Sequence, residues 1–252
     1  MRRLPLRLVV GLLILTAVVS AQTGASPASS AADLQRRLDS YQHLLNDWAG
    51  LTRYGSEDSE LGPPKSGETR VVFLGDDITE QWRAASAAPF FPGTAYLNRG
   101  IAGQTTGQML VRFRQDVVAL HPRVVVIAGG SNDVAGAAGP ASKATVMDNV
   151  MSMVDVAKAN GIRVVLASVT PVCDCVSPQT SRRSQVRLAD VNDVLKSYAQ
   201  SSGAVYLDYY SALADGRNFK SELTKDGLLP NAAGYAVMAR LAEQAIAQAL
   251  RK

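Results

Sequence analysis

Three short runs constrain this chain more than any other feature: residues 70–74 (RVVFL), 123–128 (RVVVIA) and 162–167 (IRVVLA). Each is rich in β-branched residues and almost continuously apolar, without the alternation of a half-exposed strand. A strand of that kind is covered on both faces, as in a parallel sheet between helical layers. Shorter candidate strands lie at 95–97 and 204–207. Between the runs, apolar residues recur at helical spacing: Met109, Leu110, Phe113 and Val117; Val146, Val150, Met153 and Ala157; Val194, Leu195 and Tyr198. A closing helix starts near Asn231 and carries Tyr235, Met238, Leu241, Ala242, Ala245 and Ile246. This alternation predicts an α/β fold, a single three-layer α/β/α sandwich around a mainly parallel sheet of about five strands. Ligands in such sheets collect outside the carboxyl ends of the strands, so the loops that follow each strand should carry the chemistry.

The amino-terminal end has a different character. Arg2, Arg3 and Arg7 precede an uncharged apolar run at 8–19, followed by Ser20-Ala21-Gln22. A basic start, a short apolar core and small residues predict a secretory signal peptide at 1–21, cleaved after Ala21. The run is too short for a membrane span, which needs about 20 apolar residues. The expected location is therefore secreted or periplasmic, with no membrane span in the mature chain. The net charge of +4 falls close to neutrality once the three arginines leave, which argues against a nucleic-acid partner. Residues 22–32 read as a flexible leader. Leu34, Leu38, Tyr41, Leu44, Leu45 and Trp48 predict a helix from Asp33, and 55–68 reads as a polar linker. The expected organisation is a signal at 1–21, a leader, helix and linker at 22–68, and one domain at 69–252. Hydrophobic residues at 47% and charged residues at 19% are enough for a packed core.

Four loops follow the strands in order. They are Gly75-Asp76-Asp77-Ile78-Thr79-Glu80, then Asn98-Arg99-Gly100-Ile101-Ala102-Gly103-Gln104-Thr105-Thr106, then Gly130-Ser131-Asn132-Asp133, and last Asp226-Gly227-Leu228-Leu229-Pro230-Asn231. In order and spacing this series resembles the four sequence blocks of the GDSL, or SGNH, hydrolases, secreted esterases and lipases with a flavodoxin-like fold. The resemblance covers residue 69 to the end of the closing helix and leaves out the helix with Trp48. It implies hydrolysis of carboxylic esters, such as acetyl groups on sugars or acyl groups on lipids, without a cofactor. It also implies oxyanion donors at Gly103 and Asn132 and an orienting carboxylate at Asp226. Two positions depart from the pattern: Asp77 stands where the nucleophilic Ser belongs, and Leu229 where the catalytic His belongs.

Acyl transfer needs a nucleophile activated by a base within hydrogen-bond reach. Leu229 neither accepts nor donates a proton. The two histidines, His43 in the leading helix and His121 before the third strand, lie away from the expected site. Loss of nucleophile and base from a working triad costs on the order of a millionfold in turnover. Oxyanion donors alone retain about a thousandfold over water. The Asp77 carboxylate could itself occupy the oxyanion pocket, and a second negative charge about 4 Å away is opposed by roughly 4 kcal/mol at an effective dielectric near 20.

The bland alternatives are local. Gly103 can serve a turn, Asn132 can cap a loop, and Asp76 can hold a turn hydrogen bond in preference to pairing with Asp77 around a metal. Asp226 without its His reads as a loop or helix-entry carboxylate. Cys173 and Cys175 read first as a tight disulfide or a pair of thiols, second as a metal or redox pair, and last as a nucleophile. Arg182-Arg183 reads first as a solvated pair and second as a contact for an anionic ligand. Together these readings predict a hydrolase-like protein with impaired catalysis, a pseudoenzyme that keeps a cleft for a sugar or acyl ester. The alternative is an active ester hydrolase using non-standard groups.

Overall fold

A computed structural model of the chain describes residues 31–85 and 90–252. The expected signal peptide and most of the leader lie outside the described residues. The chain divides into two compact units, Met1–Tyr41 and Gln42–Lys252. The described part of the first is helical and belongs to α1 (Ala31–Asn46), which ends two residues before Trp48.

The second unit holds the rest in the order α2 (Gly55–Leu61), β1 (Val71–Gly75), α3 (Asp77–Ala85), β2 (Tyr96–Gly100), α4 (Thr106–Asp116), β3 (Val124–Ala128), α5 (Ser131–Val134), α6 (Lys143–Ala159), β4 (Arg163–Ala167), α7 (Gln185–Ser202), β5 (Val205–Leu207), α8 (Tyr209–Leu213), β6 (Ala214–Asp215), β7 (Asn218–Phe219) and α9 (Ala232–Arg251). Strands β1 to β5 form one sheet in the order β2-β1-β3-β4-β5, every pair parallel. Strands β6 and β7 form a small antiparallel hairpin outside it. The expected three-layer parallel fold is the observed one, with the chain order reversing between β1 and β3.

The apolar runs fold this way because both their faces are buried. Val72, Leu74, Val125, Ile127, Val164 and Leu166 pack against Met109 and Phe113 of α4, Val150 and Met153 of α6, and Leu188 and Leu195 of α7. Val71, Phe73, Val126, Val165 and Leu207 pack on the opposite side against Trp82 of α3 and Tyr235, Met238 and Ile246 of α9. Burying one such side chain contributes about 1.5–3 kcal/mol.

Two sequence expectations need correction. Strand β2 is longer than the run at 95–97 and takes in Asn98, Arg99 and Gly100, which had read as loop. They pair with Phe73, Leu74 and Gly75 of β1, so backbone hydrogen bonding wins over their polar character. The stretch 55–68 is not a bare linker, because α2 occupies its first half and Asp58 of α2 receives Arg99 Nε at 2.9 Å. The compact unit begins at Gln42. Among the described residues no helix is long and apolar enough to cross a membrane.

Candidate active site

The site forms where the strand order reverses. Strand β1 ends at Gly75, and two residues later Asp77 opens α3. A side chain at Gly75 would put its Cβ 2.0 Å from Thr79 Oγ1 and 2.8 Å from the Ala128 carbonyl, so only glycine lets helix and neighbouring strand approach this closely. Strand β2 ends at Gly100, and the loop beyond it carries Gly103 at φ +78°. No atom lies within 4 Å of a Cβ built there, so the left-handed backbone, not crowding, selects glycine. The third contribution, Asn132, lies in the single turn α5 after β3.

These three residues meet. Asp77 Oδ2 accepts hydrogen bonds from the Gly103 amide at 2.8 Å and from Asn132 Nδ2 at 2.6 Å. The carboxylate thus sits on both groups assigned above as oxyanion donors, at the positive end of a helix, where a negative side chain is favoured. The Asn132 amide is held from both ends. Its Nδ2 also donates to the Gln104 carbonyl at 3.1 Å, and its Oδ1 accepts from Arg183 Nη2 at 2.8 Å.

Arg183 was the residue most misread from sequence. Arg182 is exposed as expected, but Arg183 is 8% exposed and also donates from Nε to Ser131 Oγ at 2.9 Å. Burial lowers its pKa, and the carboxylates of Asp77 and Asp76 oppose that shift. A basic pair in a loop carries no sequence sign of which member turns inward.

Asp76 is buried and points beneath the site, where its Oδ1 accepts from the Ile78 amide at 3.2 Å. Burial above all, then the charges of Asp77 and Asp133, push its carboxyl up to about 7; the Ile78 amide and Arg183 oppose the shift. It lines a cavity of about 20 Å³ with Ser131, Thr170 and Tyr209, room for about one water-sized sphere. Thr170 Oγ1 and the Tyr209 hydroxyl, both buried, find no hydrogen-bond partner among the described residues.

Asp226 and Leu229 lie in the loop before α9. Asp226 Oδ1 accepts from the Leu228 amide at 2.9 Å and the Leu229 amide at 2.7 Å, a loop-closing turn. Asp226 acts electrostatically on Arg183 and Tyr235, as Asp77 does. Leu229 is half-buried against the apolar layer of α3 and α9. His121 is exposed in a left-handed conformation just before β3, at the opposite end of the sheet. The side chain of His43 lies outside the described residues.

A second set of buried polar residues supports the loop that carries Gly103. Arg112 of α4 has no solvent exposure and donates from Nε to Gln104 Oε1 at 2.6 Å, from Nη1 to the Arg99 carbonyl at 2.8 Å and Asp116 Oδ2 at 2.9 Å, and from Nη2 to the Gly75 carbonyl at 2.9 Å. One guanidinium therefore ties the ends of β1 and β2 to the loop that carries Gly103. The segment after α1 closes this set from outside. The Ala49 carbonyl accepts from Gln104 Nε2 and the Trp48 carbonyl from Gln108 Nε2, both at 2.7 Å. Tyr54, stacked under Arg99 at 4.6 Å, donates its hydroxyl to the Gly100 carbonyl. Sequence reading missed Arg112, although its place three residues after Met109 and beside Phe113 sets it on the apolar face of α4. Cys173 and Cys175 form a disulfide. Among the described residues no group of three or more His, Cys, Asp or Glu could hold a metal ion.

Comparison with known proteins agrees with this architecture. The model of the GDSL-like lipase/acylhydrolase family matches residues 73–237. A candidate acylhydrolase from Bacteroides fragilis is 40% identical, with a TM-score of 0.75, over 80% of this chain and 98% of that one. A GDSL-like lipase from Bacteroides thetaiotaomicron is 37% identical, with a TM-score of 0.76, over 81% of this chain and 100% of its own. An acetyl-xylooligosaccharide esterase from Geobacillus shares the fold alone, at 20% identity and a TM-score of 0.56 over 71% of this chain and 94% of that one. No match is found among curated proteins. On the family match and the two Bacteroides structures, this chain belongs to the GDSL-like lipase/acylhydrolase family.

Proposed function

We propose that the chain is a non-hydrolysing member of this family, exported by its amino-terminal signal and retaining a cleft for a sugar or acyl ester. The contact that carries the reading is the Asp77 carboxylate bound to both the Gly103 amide and Asn132 Nδ2. In an ester hydrolase those donors would face the oxygen that becomes negative as the carbonyl is attacked. Here they already hold a negative group, fixed by covalent attachment to the start of α3. An ester carbonyl entering the pocket would have to displace that carboxylate, and its tetrahedral intermediate would develop charge beside it. Roughly 4 kcal/mol opposes such a second charge about 4 Å away at an effective dielectric near 20.

The missing base supports the same reading. Leu229 offers an apolar side chain at the position where the sequence resemblance puts the family His, and His121 lies at the far end of the sheet. Asp226 spends its Oδ1 on two backbone amides of its own loop.

Two measurements test the proposal. The mature protein should turn over p-nitrophenyl acetate, acetylated sugars and short acyl esters no faster than a denatured control, and a fluorophosphonate probe should leave it unlabelled. Turnover that disappears in Asp77→Ala would overturn the proposal and establish hydrolysis through non-standard groups. The double substitution Asp77→Ser with Leu229→His should then create esterase activity, because Gly103, Asn132 and Asp226 are already in place. A folded but inert double variant would show that the cleft has lost more than these two groups.

A further inference from the structure

The loop between β4 and α7 holds the chain's two cysteines, joined as a disulfide across the single residue Asp174. The two ends of the bond have unequal surroundings. Cys173 is 2% exposed, packs into the apolar layer and donates its amide to the Gly227 carbonyl at 3.0 Å. Cys175 is exposed and is followed by the exposed Val176. Closing so short a ring restricts the unfolded chain far less than closing a long one, so this bond contributes little of the stability that selects most structural disulfides. Of the two residues, the exposed one is also the one an external thiolate reaches.

The same loop reaches the site. Asp174 accepts hydrogen bonds from the Gln179 amide at 2.6 Å and the Thr180 amide at 2.9 Å. The Gln179 carbonyl in turn accepts from the Arg183 amide at 2.9 Å. Ser177 Oγ donates to the Asp226 carbonyl at 2.7 Å, fastening the loop to the segment before α9. Residues 174–183 are thus one hydrogen-bonded cap, with the disulfide at its start and, at its end, the guanidinium that holds Asn132 and Ser131.

We propose that Cys173–Cys175 is a thiol–disulfide exchange site, attacked at the sulfur of the exposed residue Cys175, and that breaking the bond loosens the cap and releases Arg183 from Asn132. An external thiolate forms a mixed disulfide with Cys175, and the electron pair of the broken bond leaves on Cys173 as thiolate, which then takes a proton. A second external thiolate attacks the external sulfur of the mixed disulfide and expels Cys175 as thiolate. In sum, two external thiols are oxidised to a disulfide and the protein disulfide is reduced to a dithiol. The two cysteines remain one residue apart, so an external disulfide such as oxidised glutathione re-forms the bond and is itself reduced to two thiols. The partner is a thiol or dithiol of the compartment the chain occupies.

The test is a redox titration of the native mature chain in glutathione buffers, quenched with acid and alkylated with a maleimide. Intact mass should rise by two alkyl groups as the buffer becomes reducing, and a glutathione adduct trapped at intermediate poise should map to Cys175. The Arg183 Nε–H resonance, assigned by its loss in Arg183→Lys, should shift on reduction and return on reoxidation. Cys173→Ser with Cys175→Ser should reproduce the reduced position of that resonance; if this variant does not fold, the wild-type titration decides. Alkylation only in denaturant would overturn the exchange site, as would full alkylation without reductant. An Arg183 signal unchanged by reduction would overturn the coupling to the site.

Discussion

At the scale of single residues, Asp76 and Asp77 have adjacent carboxyls with opposite surroundings. Asp77 reaches two donors at the mouth of the sheet, whereas Asp76 turns into the layer beneath and keeps one backbone amide. Burial raises the Asp76 carboxyl to about 7, with the charges of Asp77 and Asp133 adding to the effect. A raised carboxyl means that the folded chain holds a proton the unfolded chain has released, so the contribution is complete below the ordinary carboxyl range. It is lost as pH rises towards 7. Asp76→Asn keeps an acceptor for the Ile78 amide and has no charge to bury. It should leave stability unchanged at pH 4 and raise it at pH 8 by on the order of 4 kcal/mol, since each tenfold change in proton affinity is worth about 1.4 kcal/mol. Urea unfolding at the two pH values measures this. A variant less stable than wild type at pH 8 would assign Asp76 a different role. The sequence made both carboxylates visible, but which one faces the pocket follows from the turn between β1 and α3.

At the scale of elements, α4 is the support on which the site depends. Its apolar residues were legible because they recur every third or fourth position, and Arg112 was not, because an arginine in a helix is read as solvent-facing. Only the approach of β1, β2 and the Gly103 loop supplies the carbonyls that satisfy a guanidinium with no solvent exposure. Removing one partner of a buried ion pair leaves the other uncompensated, at about 3–5 kcal/mol. Arg112→Leu should therefore lose about that much in urea, because Asp116 loses the guanidinium that pairs with it and the carbonyls of Gly75 and Arg99 each lose a donor. Arg112→Lys should recover only part of it, since one ammonium cannot span the same acceptors. A loss under about 1 kcal/mol for the leucine variant would show that water replaces the guanidinium. Strand β2 carries the same lesson, since Asn98 to Gly100 looked like loop until β1 supplied their pairing.

At the scale of the whole molecule, the compact unit is larger than the family match. The matched region begins at residue 73, yet Trp48, Ala49, Tyr54 and Asp58 hold Gln108, Gln104, Gly100 and Arg99. A chain starting at residue 69 should melt well below one starting at Gln42, because Arg99, 1% exposed, would lose its Asp58 partner and its Tyr54 cover. Equal melting temperatures would make the segment dispensable. The sequence by itself determined the sheet, through apolar runs that must be covered on both faces, and the order of the four loops along it. It also determined the absence of Ser at 77 and His at 229, because residue identity needs no coordinates. The tertiary structure alone decided where charge goes: Asp77 onto the Gly103 amide and Asn132, Arg183 inward behind Asn132, Arg112 beneath the loop. Hydrophobic burial writes a local periodic pattern into a sequence, whereas a buried charge is tolerated only where distant segments bring complementary groups to it, and no local pattern records that meeting.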